Sequence, residues 1–314
     1  MKKKLFILVL ALAVAFTFSA MPGFAASRQV TQVAEKDYLI DEDGNEYLMN
    51  TWENTYEKGR LIKEHSKYIN YDFQWDEETG KDIRIKNGSY IYDDTYKYNS
   101  KGLKTAHYTK DNGKKTNKVS YKYDKKNRIK SETYYSYKNG KYIKDSKVTY
   151  TYKSGKTIRE VKSYSDSYEQ KVIIYYNSKG RINKEVIFEG GEKTGTTIYK
   201  YHTNGNLKKV LWESSNHSDK NIQKYDKKGR MVRDEYIRDG WESVTEYKYY
   251  SSGLVKERII DNIRDYGDDI YKEHSVEKYK YSNYYGSTKK YPELVKIYTD
   301  GKLTNKEVRR YKKI

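Results

Sequence analysis

The stretch QKYDKKGRMVRDEY, Gln223–Tyr236, combines three acids, three lysines and two arginines with a glycine and two tyrosines. Read alone, Tyr225-Asp226-Lys227-Lys228-Gly229-Arg230 has the look of a reactive or phosphate-binding loop. Its relatives along the chain decide otherwise. YEKGRLIK starts at Tyr56, YNSKGLK at Tyr98, YDKKNRIK at Tyr123, YKSGKTI at Tyr152, YNSKGRIN at Tyr176, YHTNGNLK at Tyr201 and YYSSGLVK at Tyr249. The turn residue falls at Gly59, Gly102, Asn127, Gly155, Gly180, Gly205, Gly229 and Gly253, in steps of 43, 25, 28, 25, 25, 24 and 24 residues. A fixed period of this length marks a repeat architecture, and the motif belongs to the repeat and not to one site.

Each unit has the same internal pattern. A strand with alternating apolar positions leads in, as in Val119-x-Tyr121-x-Tyr123 and Val148-x-Tyr150-x-Tyr152, and period two places those side chains on one sheet face. The turn follows, a second strand leaves it, and a second turn closes the unit at Asn139-Gly140, Gly190-Gly191 or Asp239-Gly240. Such dipeptides between alternating runs are hairpin signals. Asn127 replaces the turn glycine once, and Asn is the non-glycine residue that best accepts positive φ. Gly102, Asn127, Gly155, Gly180, Gly205, Gly229 and Gly253 are therefore read as structural turn positions. The fold expected is all-β: an antiparallel meander of tandem β-hairpin repeats of about 25 residues, as an elongated or spirally coiled sheet. Tyr supplies 38 of the 48 aromatic residues, Pro only 2 residues, and 36% hydrophobic content is too little for one large compact core.

The segments YKYDKKNRI (121–129) and KYDKKGRM (224–231) resemble the YD, or Rhs-type, repeat, Tyr-x-Tyr-Asp-x-x-Gly-Arg-Leu. The likeness covers roughly residues 90–260; the motif's Asp stands at Asp124 and Asp226, while Asn99, Asn177 and His202 take its place elsewhere. GEKTGTTIYKYHTNGNLKKVLWE is also similar to MORN-like repeats. The YD resemblance implies β-hairpins wound into a sheet or spiral shell, a secreted or cell-surface setting, and carbohydrate binding. The chain has no toxin-like segment after the repeats, so an encapsulating role is not carried over.

Lys2-Lys3-Lys4, an apolar run to about Phe18, and small residues near Ala25-Ala26 read as a secretory signal peptide over residues 1–26. The run is too short for a comfortable transmembrane helix, and no other long apolar segment follows. Residues 27–97 are read as an N-terminal β region with a divergent first repeat. The tandem repeats occupy 98–260, and 261–314 hold an acidic loop and a modified C-terminal capping repeat. Cysteine is absent, which suits bacterial export without disulfides. Removing residues 1–26 takes away three lysines and no acid, so the net charge of +19 becomes +16. That charge points to an anionic partner, and export excludes intracellular nucleic acid.

The five histidines (His65, His107, His202, His217, His274) show no metal-ligand spacing, and no nucleophile, Walker or dinucleotide motif is present. Asp41-Glu42-Asp43-Gly44-Asn45-Glu46 lacks calcium-loop spacing and reads as a tight turn; Asp265, Asp268 and Asp269 read as a solvated loop. Lys184-Glu185 and Lys256-Glu257 recur in the repeat, which favours structural cross-strand pairs. No cofactor, metal or catalytic set is expected. Of Trp52, Trp75, Trp212 and Trp241, the pair Trp212 and Trp241 stands about one repeat apart and is the candidate glycan-stacking pair. The function expected is that of a secreted, non-catalytic repeat protein, extracellular or loosely wall-associated. It would bind cell-wall or other anionic polysaccharide through a repetitive surface; an extracellular structural or protein–protein scaffold is the alternative.

Overall fold

The computed structural model describes residues 30–41, 43–76, 81–265, 269–284 and 291–313. Residues 1–26, read above as a signal peptide, lie outside them. Twenty strands follow in order: β1 Val30–Ile40, β2 Glu46–Glu57, β3 Arg60–Asp76, β4 Lys81–Tyr98, β5 Lys104–Asp111, β6 Lys114–Tyr123 and β7 Ile129–Lys138. Next come β8 Lys141–Lys153, β9 Lys156–Ser163, β10 Glu169–Tyr176, β11 Ile182–Glu189, β12 Glu192–Tyr201, β13 Leu207–Ser214 and β14 Lys220–Tyr225. The last six are β15 Met231–Arg238, β16 Trp241–Tyr249, β17 Val255–Asp265, β18 Ile270–Tyr284, β19 Pro292–Thr299 and β20 Lys302–Lys313. Each pairs antiparallel with the next, so the meander is as the repeat implies. The ring then closes: β20 pairs with β1 from Val30↔Lys313 to Leu39↔Asn305. The elongated or spiral sheet is thus corrected to a closed β-barrel. Closure satisfies the edges that an open repeat sheet would leave, and the C-terminal hairpin completes the ring.

The register fixes the barrel geometry. Directly opposed residues run Asp37–Asn50–Tyr68–Tyr90, then, six residues along β4, Tyr96–His107–Val119–Tyr134–Ser146–Ser163. A second slide of six residues leads to Ile174 and the row Glu185–Thr197–Trp212–Asn221–Tyr236–Ser243–Asn262–Glu273. A last slide of eight reaches Tyr281–Val295–Glu307 and returns to Asp37. The shear is therefore about 20 residues for 20 strands, a tilt near 36°. A circular section at the usual strand spacing is about 38 Å across the backbone, too wide for side chains to fill.

Every slide is even, so this row lies on one face, and it is the inner one. Desolvation is the largest influence on its groups, Tyr96, Tyr121, Tyr134, Tyr199, Glu185 and Glu307 among them. On the opposite face the partner hydrogen bond comes first for two acids, from Lys248 for Glu257 and from His65 for Asp93. Val119, Tyr121 and Tyr123, and Val148, Tyr150 and Tyr152, share the inner face as their alternation requires.

The two ends carry different turns. At one end are two-residue hairpins such as Asn112-Gly113, Asn139-Gly140 and Asp239-Gly240, with positive φ at Asn112, Asn139 and the three glycines. At the other lie most of the repeat turns, whose residues 102, 127, 155, 180, 205, 229 and 253 have φ between 60 and 96°. Gly240 is the most restricted: a Cβ there would stand 2.7 Å from the Asp265 carbonyl oxygen, at φ 69°. Gly229 has φ 81° and faces Asn206 at 3.5 Å. Gly229→Val is expected to destabilise by more than ~1 kcal/mol, and Gly240→Val by more than Gly229→Val, in paired chemical melts. Equal midpoints for both variants and the parent would contradict the backbone argument.

Candidate functional site: turn rim, inner wall and outer wall

The motif acid has a local task. Asp226 Oδ1 accepts from the backbone N–H groups of Lys228 (2.8 Å) and Arg230 (3.0 Å), and Oδ2 takes the Arg230 side chain at 2.7 Å. Asp124 repeats this with Lys126, Arg128 and the Arg128 side chain. These bonds hold both carboxyls below their usual range, against a desolvation that alone would raise them. Asn177 serves Lys179 and Arg181 in the same way, and Asn99 serves Leu103. His202 instead bonds the Tyr225 carbonyl, 2.9 Å away. An Asx side chain closes the turn by mimicking a backbone acceptor, which is why Asp and Asn interchange there.

The arginine after the turn has a second task that sequence reading missed. Arg128 lies over the ring of Tyr152 at 3.9 Å, Arg181 over Tyr201 at 4.6 Å and Arg230 over Tyr249 at 4.5 Å. The same tyrosines donate their hydroxyls to the next carbonyl in each case, Ile129 (2.7 Å), Ile182 (2.5 Å) and Met231 (2.5 Å). Each turn is thereby clamped to the lead-in strand of the following unit. The signal was the Gly-Arg or Asn-Arg pair followed by an apolar residue, to which the turn reading gave no role of its own. Around the rim these turns bring together Lys101, Lys125, Lys126, Lys153, Lys179, Lys227 and Lys228, beside Lys58 and Arg60 of the first unit.

The inner wall is rich in tyrosine and carboxylate. Tyr134 donates to Glu132 at 2.8 Å, Tyr199 to Glu185 at 3.0 Å and Tyr279 to Glu277 at 2.7 Å; Tyr96 bonds Glu64. Desolvation raises all four phenols, and pushes Tyr121 up to about 12, so the wall carries neutral hydroxyls against acids. Asp37, Asp94 and Asp234 add further inner acids, and Lys104, Arg159, Arg258 and Arg309 are among the inner cations.

Trp212 and Trp241 both project inward, three strands apart. Trp212 lies in the row with Thr197 and Asn221 and covers Gly195, where a Cβ would meet its indole nitrogen at 3.2 Å. Trp241 is 39% exposed and meets Tyr236 edge-on at 5.3 Å. The pair therefore does not share the lysine-bearing outer surface. Trp52 is also inward and donates to Glu35 at 3.4 Å; the Trp75 side chain lies outside the described residues, as does Asp268. Asp41 caps its own turn through Asp43 and Asn45, in keeping with a tight turn. Glu257 makes a cross-strand pair with Lys248 at 2.6 Å on the outer face, but Glu185 points inward to Tyr199. The two glutamates stand four and five residues after their turn glycines, and one residue reverses the face. Sequence reading also missed the trio Glu35, Asp37 and Glu307, whose oxygens lie within 4.8 Å of one another where β20 meets β1.

The outer wall alternates lysine with aliphatic residues. Lys67, Lys118, Lys147, Lys171, Lys184, Lys209, Lys224, Lys278 and Lys296 occupy outward positions on nine strands, beside Ile69, Val186, Ile222, Val276 and Leu294. Lys118 stands within 5.7 Å of the rings of Tyr108, Tyr135 and Tyr142. A membrane-spanning barrel needs an unbroken apolar band facing lipid, and each lysine at mid-depth costs about 2–4 kcal/mol there. The described outer wall alternates lysine with aliphatic residues and shows no such unbroken band. No helix among the described residues is long and apolar enough to cross a membrane.

No family model matches the sequence, and no curated protein does. Among solved structures the chain is similar to a porin-like protein from Bacteroides uniformis, at 9% identity over 90% of this chain and 98% of that one, with a TM-score of 0.35. It is also similar to a chain of the TcdB2-TccC3-TEV structure, at 10% identity, 84% of this chain, 16% of that one and a TM-score of 0.31. A third likeness is to the Photorhabdus luminescens Tc holotoxin pore, at 9% identity, 90% of this chain, 20% of that one and a TM-score of 0.27. The chain spans at most a fifth of those two toxin chains. These likenesses are too distant to argue function from.

Proposed function

We propose that the protein is a secreted, non-catalytic binding protein, loosely associated with a cell wall. It holds an anionic polysaccharide or wall polymer against its outer wall and turn rim. The observation that carries this reading is the placement of the lysines: they gather on the outer face and on the repeat turns, where they outnumber the outward acids Asp93, Glu160, Glu213, Glu235, Glu246 and Glu257. A repeating row of modest cationic sites engages a long polyanion by avidity, without any one deep pocket. The assignment of the units to the YD type belongs to the same proposal and rests on the turn chemistry of Asp124 and Asp226. Trp212 and Trp241, facing inward, are proposed as a separate stacking pair for a glycan that enters the barrel. The scaffold alternative loses one of its routes, because β1 and β20 pair with each other and leave no free edge among the described strands.

Sedimentation with a purified anionic wall polymer tests the proposal. Binding is expected to weaken by about tenfold or more between roughly 50 and 500 mM salt, since exposed charges are screened within a few ångströms at high salt. Neutral glucan is expected to stay in the supernatant at both salts. Salt-independent binding, or equal retention of the neutral polymer, would overturn the electrostatic reading.

A further inference from the structure

At one place on the outer wall the lysines are interleaved with tyrosines. Tyr108, Lys118, Tyr135 and Lys144 are directly opposed across β5, β6, β7 and β8. A second outward row beside it holds Lys110 and Lys115 on β5 and β6, then Tyr137 and Tyr142 on β7 and β8. Three of the rings are in contact: Tyr137 meets Tyr142 edge-on at 5.0 Å, and Tyr142 meets Tyr108 at 6.2 Å. Lys118 stands over Tyr108, Tyr135 and Tyr142, and Lys115 over Tyr137 at 5.5 Å. All four tyrosines are half-buried, so each ring is held by its neighbours and still meets solvent.

The charge of this patch is uncompensated. No acid faces outward among the described residues of β5–β8, and Lys110, Lys115, Lys118 and Lys144 make no ion pair with a described residue. Asp93 on β4 stands opposite Lys110, but Lys63 at 3.1 Å and His65 at 2.9 Å already engage it. Glu160 on β9 stands opposite Thr149. Ring and ammonium alternate at the strand spacing, about 4.8 Å, and successive tyrosines of the first row lie about 10 Å apart. A ligand that uses both must carry negative charge within a strand spacing of a flat apolar face. A polyol joined by phosphodiesters has the charge without the face, and a neutral glycan has the face without the charge. A sugar ring bearing its own carboxylate has both. We propose that this patch is a binding site for a polyuronate lying across β5–β8, with sugar rings against Tyr108 and Tyr135 and carboxylates on Lys118 and Lys144. This rests on the outer-wall function proposed for the lysines and narrows the polymer to acid-bearing sugar rings.

Sedimentation of the full chain with polygalacturonate, inorganic polyphosphate and dextran provides the test. The parent is expected to bind both polyanions and not dextran. Removing both rings, Tyr108→Thr with Tyr135→Thr, is expected to weaken polygalacturonate binding by about tenfold or more and polyphosphate binding by less than about twofold. Tyr108→Thr alone, the milder change, is expected to cost about threefold for polygalacturonate only. Tyr108→Phe with Tyr135→Phe keeps the rings and is expected to bind both polymers as the parent does. Lys118→Gln with Lys144→Gln is expected to weaken both. A melting curve for each variant establishes that it is folded. Polygalacturonate binding that survives loss of the rings or of the two lysines, or polyphosphate binding that falls equally on loss of the rings, would overturn the site and leave the electrostatic outer wall standing. Failure of the parent to sediment with either polyanion would overturn both.

Discussion

A cysteine pair at Leu39 and Asn305 is expected to form an intramolecular disulfide and to raise the stability by several kcal/mol. The two residues are direct partners across the seam between β1 and β20. The sequence contains no cysteine, so the engineered pair has no competitor. They are separated by 266 residues in the chain, and closing so long a loop removes much of the unfolded chain's entropy, worth up to about 5 kcal/mol where the native geometry is unstrained. In an open or spiral repeat sheet the first and last strands would lie far apart, and the cysteines would stay reduced or link different molecules. Non-reducing electrophoresis at high dilution separates the outcomes. Dimers alone, or free thiols after mild oxidation, would refute the closed ring; a monomeric species whose denaturation midpoint rises on oxidation supports it. Three control pairs placed across neighbouring hairpins should oxidise as well and stabilise less, because their loops are short.

Much of the local structure was legible in the chain. The period of the turns located the repeat hairpins, the positive φ at Asn127 follows from the same logic as at its glycine relatives, and the alternation of Val119, Tyr121 and Tyr123 gave a common face. Closure was not legible. A hairpin is announced by the residues between its strands, whereas β1 and β20 meet with no connecting turn, and their register follows from a shear accumulated over the whole circumference. Nor does alternation say which face is inner. On β6 and β12 tyrosine and lysine alternate, and only curvature decides that Tyr121, Tyr123, Tyr199 and Tyr201 go inside while Lys122 and Lys200 go out. The Arg230–Tyr249 clamp was hidden for a related reason: the partner lies one unit ahead, and its spacing varies from 19 residues here to 24 for Arg128–Tyr152. The contrast between Glu185 and Glu257 shows how fragile such readings are, since a bulge or one residue of offset moves a charge from solvent to the inner wall.

Asp37→Asn is expected to stabilise the protein at pH 8 by about 1–2 kcal/mol and to leave it nearly unchanged at pH 4. The Asp37 carboxyl is raised to about 6, first by burial and then by the neighbouring Glu35 and Glu307. A group whose folded pKa lies above its unfolded value supports the fold fully while it is protonated in both states. That support is present below about pH 4 and is lost as the pH rises through about 6. Ionised Asp37 therefore weighs against the seam at neutral pH, where Arg309 must serve Glu35 and Glu307 as well. Asparagine removes the charge and keeps the partnership with Asn50 available through its amide. Melts of parent and variant across pH 4–8 are expected to diverge on the alkaline side only. A variant that is less stable than the parent at pH 8 would show that the Asp37 charge is well paired in the barrel.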